Sequence, residues 1–181
     1  MKITDSFARE LREAAGTDEI VRLLRDIPGT EAEWGSVLAV GRKWVAVSEV
    51  VDFHREDIFC VRIADLHRLQ RREGKLVRRW FSRTGEESPD LPYAVDLDTT
   101  AGLLRSVRRS GQACTIEVER EDPDILFVGL VEQVEEKTLL LREIDPRARW
   151  GALSRWPLRD ITRVKLYSHY VTVLSEIAGE R

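Results

Sequence analysis

The sequence predicts an α+β fold, mainly β, assembled from two copies of one small β-rich module. Three observations predict it. Apolar, β-branched runs of strand length recur in both halves of the 181 residues. An acidic segment bearing Gly85, Ser88, Pro89 and Pro92 divides the halves, as a linker over 84–97. The run Ile63-Ala64-Asp65-Leu66-His67-Arg68-Leu69 also shares a pattern with Leu158-Arg159-Asp160-Ile161-Thr162-Arg163-Val164. Both are apolar at the first, fourth and seventh places, with Asp third and Arg sixth. Internal repetition constrains architecture before any single motif does.

Taken in order, Thr4–Ala15 reads as a helix, because Phe7, Leu11, Ala14 and Ala15 share one face. Gly16 and Thr17 then predict a second short helix carrying Ile20, Leu23, Leu24 and Ile27 inward, ended by Pro28-Gly29. Trp34–Val40 and Trp44–Val51 predict a hairpin around Gly41-Arg42, and Asp52–Asp57 a polar loop. Ile58–Leu69 resumes as strand. Leu76, Val77, Trp80 and Phe81 fall on one face of a basic helix within 68–83. These residues complete a first unit, 1–83.

The second unit, 98–181, repeats the order. Asp98-Thr99-Thr100 caps a helix running to Ser110, with Leu103, Leu104 and Val107 inward and Gly111 as C-cap. Thr115–Arg120 alternates, with Ile116 and Val118 on one face and Thr115, Glu117 and Glu119 on the other. Ile125–Val134 and Thr138–Ile144 are apolar strands. A loop holding Trp150 and Gly151 leads to a strand over Arg155–Leu166, and Ser168–Ala178 closes the chain as a helix using Val171, Leu174 and Ile177. Trp44–Val50 aligns with Thr138–Ile144, setting Glu49 against Glu143. Asp at the repeated turn can bond the backbone ahead of it, so a short strand bends sharply there and the small sheet closes on itself.

Helix, then short strands bent at Gly129-Leu130-Val131, then a minimal turn at Arg159-Asp160 or Ala64-Asp65: this order resembles the Sm-like fold, an N-terminal helix followed by five bent strands in a small barrel. The likeness is fuller over 99–178 than in the first half. The runs Leu139–Pro146 and Pro157–Arg163 also look like uncharacterised bacterial proteins of this architecture. The resemblance implies two Sm-like barrels in tandem. It does not carry RNA binding with it. RNA-binding Sm proteins have Asn where this chain has Leu139, and an Arg-Gly pair where it has Arg159-Asp160. An Asp facing a phosphate path repels it.

The charge balance argues against a dedicated nucleic-acid binder: charged residues are 34% of the chain, yet the net charge is −3. No apolar run has the length of a membrane span, and Met1–Asp5 is not a signal peptide, so the expected location is cytoplasmic. Cys60 and Cys114 are expected reduced and buried. His54-Arg55-Glu56-Asp57 gathers ligand-type residues, but three histidines in the whole chain make a metal site unexpected. Glu143 and Asp145 lie in a run of charges without a cleft, and no phosphate loop or nucleophile elbow occurs. No cofactor and no catalytic residue is therefore expected.

The candidate binding residues are Arg71, Arg72, Lys75, Arg78 and Arg79, clustered around Trp80 and Phe81, with Trp150 as a partner anchor. Residues 34–85 hold eleven basic side chains against six acidic, and 86–135 four against twelve, so the segments can also face each other. The leading functional reading is a non-enzymatic protein–protein binding module. The alternatives are nucleic-acid binding through 68–83 and toxin neutralisation as an immunity or antitoxin-type protein. A homo-oligomer is allowed by open strand edges.

Overall fold

A computed structural model describes residues 3–71 and 74–179 of the chain, with side chains from residue 6. Helices α1 (Ile3–Ala14), α2 (Lys75–Thr84), α3 (Thr100–Ser110) and α4 (His169–Ala178) accompany ten strands. The first five are β1 (Ile20–Arg25), β2 (Glu33–Val40), β3 (Trp44–Val51), β4 (His54–Arg62) and β5 (Leu66–Gln70). The second five are β6 (Cys114–Glu117), β7 (Leu126–Val134), β8 (Thr138–Ile144), β9 (Trp150–Pro157) and β10 (Arg163–Tyr167). They form one antiparallel sheet in the order β5-β1-β2-β3-β4-β10-β6-β7-β8-β9. The fold is thus α+β and mainly β. The sheet is open, and the expected closure of each half is corrected: β4 takes β10 of the other half as its neighbour, leaving β5 and β9 as free edges. The sheet curls strongly all the same, since Arg25 on β1 reaches Glu119 just past β6, five places along the strand order.

The two halves share strand order and irregularities. Gly35 faces Glu49 across β2–β3, and Gly129 faces Glu143 across β7–β8. Each pairing slips two residues after its glycine, at Val37/Ala39 and at Val131/Gln133. A Cβ on either glycine would sit 2.3 Å from a backbone carbonyl oxygen of the next strand, of Ser48 or of Arg142. Only glycine allows that approach. Asp65 and Asp160 both occupy the short turn before the last strand of their half, with unlike partners: Asp65 is buried and paired with Arg120, whereas Asp160 is half-buried beside Arg159.

Several elements differ from expectation. The second predicted helix is strand β1. Its apolar residues fit both periods, but Val21, Leu23 and Arg25 are buried in alternation, and pairing with β2 and β5 overrides helix propensity. The polar loop 52–57 shrinks to Asp52-Phe53, and the rest belongs to β4. The strand predicted over 155–166 is broken by a turn after Pro157. The linker is pinned: the Leu97 carbonyl accepts from the Lys43 and Trp44 amides, and Tyr93 and Val95 pack against the core. Ile177 is exposed, because Val171, Leu174 and Ala178 occupy the face of α4 that packs on Val128 and Ile144.

The core joins the halves. Trp44, Ala46, Ile58 and Cys60 pack with Leu103, Ile116, Leu139 and Val164 in one cluster. The alternate residues of the same two strands, Val45, Val47, Phe59 and Val61, pack under α1 with Leu11 and Leu23. Burial on both faces explains why β3 and β4 read as continuous apolar runs. No described helix is long and apolar enough to cross a membrane.

Candidate functional site

The β3–β4 hairpin turns on two residues, Asp52 and Phe53, since Val51 pairs with His54. Both have positive φ, 45° and 65°. Such a two-residue turn favours Asn-Gly, because a Cβ is strained there. An aromatic residue in this conformation stores about 1–3 kcal/mol and points to function. Phe53 is half in solvent and lines two adjoining cavities. One is a cleft of about 800 Å³ walled by Trp34, Val50, Val51, Leu76, Val77 and Pro123. The other, of about 520 Å³, lies between the turn and Arg79, Trp80 and Arg83 of α2. Asp52, Phe53 and Leu76 border both, so the two form one groove along α2.

Helix α2 is set by its ends. The Gly74 backbone lies against Ile20, where a Cβ would meet the Ile20 Cβ at 2.3 Å, and Gly85 closes the helix in the left-handed conformation. Phe81 anchors it beside Ile20 and Val50, under the Arg55 guanidinium 4.6 Å from its ring. Leu76 and Trp80, expected to share the face of Phe81, turn aside from it and stay exposed.

The floor of the cleft is ionic. Arg25 forms a two-point contact with Glu119 and lies 3.3 Å from Glu33. Glu33 is also 2.8 Å from Arg163, which sits 3.2 Å from Glu49, 3.8 Å from Glu117 and 4.2 Å above the Phe59 ring. Lys165 pairs with Asp57 at 2.6 Å. Five carboxylates thus meet three cations. Burial pushes the Glu33 and Glu117 carboxyls above the ordinary glutamate range, more than Arg163 pulls them down. Burial is the largest influence on Glu119 too, but the hydrogen bonds from Arg25 and Thr162 and the charges of Arg25 and Arg163 together outweigh it and hold Glu119 below that range. Carboxyls that retain protons in a cleft suit general acid chemistry. Here Glu33 has a guanidinium against each oxygen, which serves binding and structure better than proton transfer.

The predicted binding residues are divided by the structure. Arg71 is tied to Glu13 and Glu19 at 2.9 and 2.7 Å and faces the end of α1, not the groove. Arg72 lies outside the described residues. Lys75, Arg78 and Arg79 are exposed on α2 without an ion pair among the described residues, and Arg79 borders the groove. Trp150 stands at the start of β9 and not in the predicted loop; it is half-buried under α4, and its Nε1 donates to the Gly179 carbonyl. Phe53, Leu76 and the ionic floor were not anticipated. The signal for Phe53 was the Asp-Phe dipeptide between two apolar runs, at turn spacing but without turn chemistry. Glu117 and Glu119 alternate as an outward face would, yet both are buried by the curl of the sheet.

Comparison with known protein families, curated proteins and solved structures finds no match. The site therefore rests on its own geometry. Among the described residues no group of His, Cys, Asp and Glu is arranged to hold a metal ion.

Proposed function

We propose that this chain is a non-catalytic protein-binding module, made of two Sm-like units in tandem, whose partner docks in the groove around Phe53. The tandem relation is supported by the shared strand order and by the equivalent Gly35–Glu49 and Gly129–Glu143 pairings. The binding role is carried by one observation: a strained, exposed Phe53 at the junction of two cavities. Exposed Leu76 and Trp80 supply anchor area beside it, and aromatic residues and arginine dominate protein interfaces. The carboxylate-rich floor suits a partner segment presenting Arg or Lys among apolar residues.

A random-peptide display selection on the immobilised chain tests this. Enriched peptides are expected to share a cationic residue flanked by apolar ones, and to lose binding to Phe53→Gly and Leu76→Asp variants. Enrichment that survives both substitutions refutes the site.

A second reading, nucleic-acid binding through α2, is favoured by exposed Lys75, Arg78, Arg79 and Arg83 around Trp80. It requires affinity for mixed RNA or DNA that falls steeply with salt and disappears on changing Arg78 and Arg79 to Glu.

A further inference from the structure

The floor of the cleft holds more carboxylates than cations, and one of the carboxylates has no close partner. Asp57, Glu119 and Glu33 each meet a cation at 2.8 Å or less, and Glu49 meets one at 3.2 Å. Glu117, on β6, differs. It is 8% exposed and lines the cleft. Its carboxylate makes no hydrogen bond among the described residues, and its ion pair with Arg163 is 3.8 Å long. Burial outweighs the nearby cations and raises its carboxyl, as befits an incompletely paired acid. A carboxylate so enclosed, without a donor at bonding distance, is expensive to keep charged, and an arriving cation removes that cost.

Three features choose the cation. Arg163 already flanks Oε1 of Glu117, so the two-point fork of a second guanidinium lacks a free pair of oxygens, whereas an ammonium is a point charge that needs one acceptor. The walls above the floor, Trp34, Val50, Phe53 and Val77, are apolar and suit a methylene chain behind the ammonium. Glu31, Asp52 and Asp124 border the same cleft, exposed and without an ion pair among the described residues, and can accept a second positive charge at the far end of that chain.

We propose that the cleft binds a primary alkylammonium group, seated on Glu117 with its chain along the Trp34 and Phe53 walls. A lysine side chain of a docked partner and a free aliphatic diamine both carry this group. With a partner's lysine the inference rests on the docking reading given above. With a free diamine it stands without that reading.

Isothermal titration calorimetry of the full chain at low salt tests it, with pentylamine, butylguanidine, 1,5-diaminopentane and N-acetyl-lysine methylamide as probes. Pentylamine is expected to bind, and butylguanidine to bind about tenfold more weakly or less. Glu117→Gln should weaken pentylamine by about tenfold or more, the loss of one charge-assisted hydrogen bond. The variant keeps the shape of the side chain and removes a buried charge without a close partner, so its melting temperature at neutral pH should not fall below that of the wild type. A diamine that binds tighter than pentylamine by about threefold or more, through the exposed rim carboxylates, assigns the ammonium to a free diamine. Equal affinities for pentylamine, the diamine and the lysine derivative assign it to a partner's lysine. The proposal is overturned by the absence of saturable heat with any amine up to about 10 mM. It is overturned equally by butylguanidine binding as tightly as pentylamine, or by amine binding unchanged in Glu117→Gln. Selected peptides that need Phe53 and Leu76, beside amine binding indifferent to Glu117, keep the docking groove and remove the ammonium seat. Peptides indifferent to Phe53 and Leu76, beside pentylamine binding lost in Glu117→Gln, keep the seat and remove the groove.

Discussion

Replacing Arg25 by Met removes the cation that holds the ionic floor together. The Arg25 side chain is 2% exposed, and it touches Glu119 and Glu33, both more than nine-tenths buried. Removing one partner of a buried pair costs about 3–5 kcal/mol, because the remaining charge is stranded in a poorly solvating site. In a domain of this size each kcal/mol moves the melting temperature by about 2–4 °C, so the expected drop is about 6–20 °C. The double variant Arg25→Met with Glu119→Leu should recover much of it, since Glu33 keeps Arg163 at 2.8 Å. The pH dependence follows from the direction of the Glu119 shift. Its folded value lies below the ordinary glutamate value of 4.5, so its stabilisation is present above that value and is lost as pH falls through the folded one. The gap between wild type and the Arg25→Met variant should therefore close in acid. Thermal denaturation followed by far-UV circular dichroism, across this pH range, measures both. A drop below about 2 °C at neutral pH would refute the reasoning, because it would mean that the floor is wet and the pair worth no more than a surface salt bridge.

Changing Asp52-Phe53 to Asn-Gly relieves the left-handed strain and should stabilise the chain to urea by about 1 kcal/mol while removing selected-peptide binding. Gly35→Ala and Gly129→Ala should each destabilise by about 1–3 kcal/mol in urea titrations, and by similar amounts, because the same carbonyl clash arises at both. Burial raises the Cys60 thiol far above its ordinary range and the Cys114 thiol to about 12, so neither should react with a thiol reagent until denaturant is added, when both should. Glu117 has a folded value above the ordinary one, so the stability linked to it is full below pH 4.5 and is lost as pH rises through the folded value. Glu117→Gln should flatten that decline in a series of urea titrations.

How much was legible follows from which forces set each element. Helices α1 and α3 were readable because their apolar spacing and caps are local: Thr99 accepts from the Gly102 amide, and Gly111 ends the helix in the left-handed conformation. The alignment of Trp44–Val50 with Thr138–Ile144 agrees with the like strand order of the two halves and with the pairing of Glu49 with Gly35 and of Glu143 with Gly129. β1 was misread because Ile20, Leu23, Leu24 and Ile27 satisfy a helical face as well as a strand, and only pairing with β2 and β5 decides. The open sheet was not legible, since nothing local says that β4 takes β10 as its neighbour. The same gap hid the site. Arg25 and Glu119 are 94 residues apart and meet only through the curl of the sheet. Arg71 looked available because its partners Glu13 and Glu19 lie more than fifty residues earlier, near the start of the chain, at separations of 58 and 52.

Amide hydrogen exchange along the joint tests the central claim that both halves belong to one sheet. If β4 and β10 are interior strands, the amides of Ile58–Val61 and Arg163–Lys165 that bond across the joint exchange as slowly as those of β3 and β8, through global unfolding. Exchange there within minutes, while β3 and β8 stay protected, would mean that the halves are separate bodies and that the ionic floor between them does not persist.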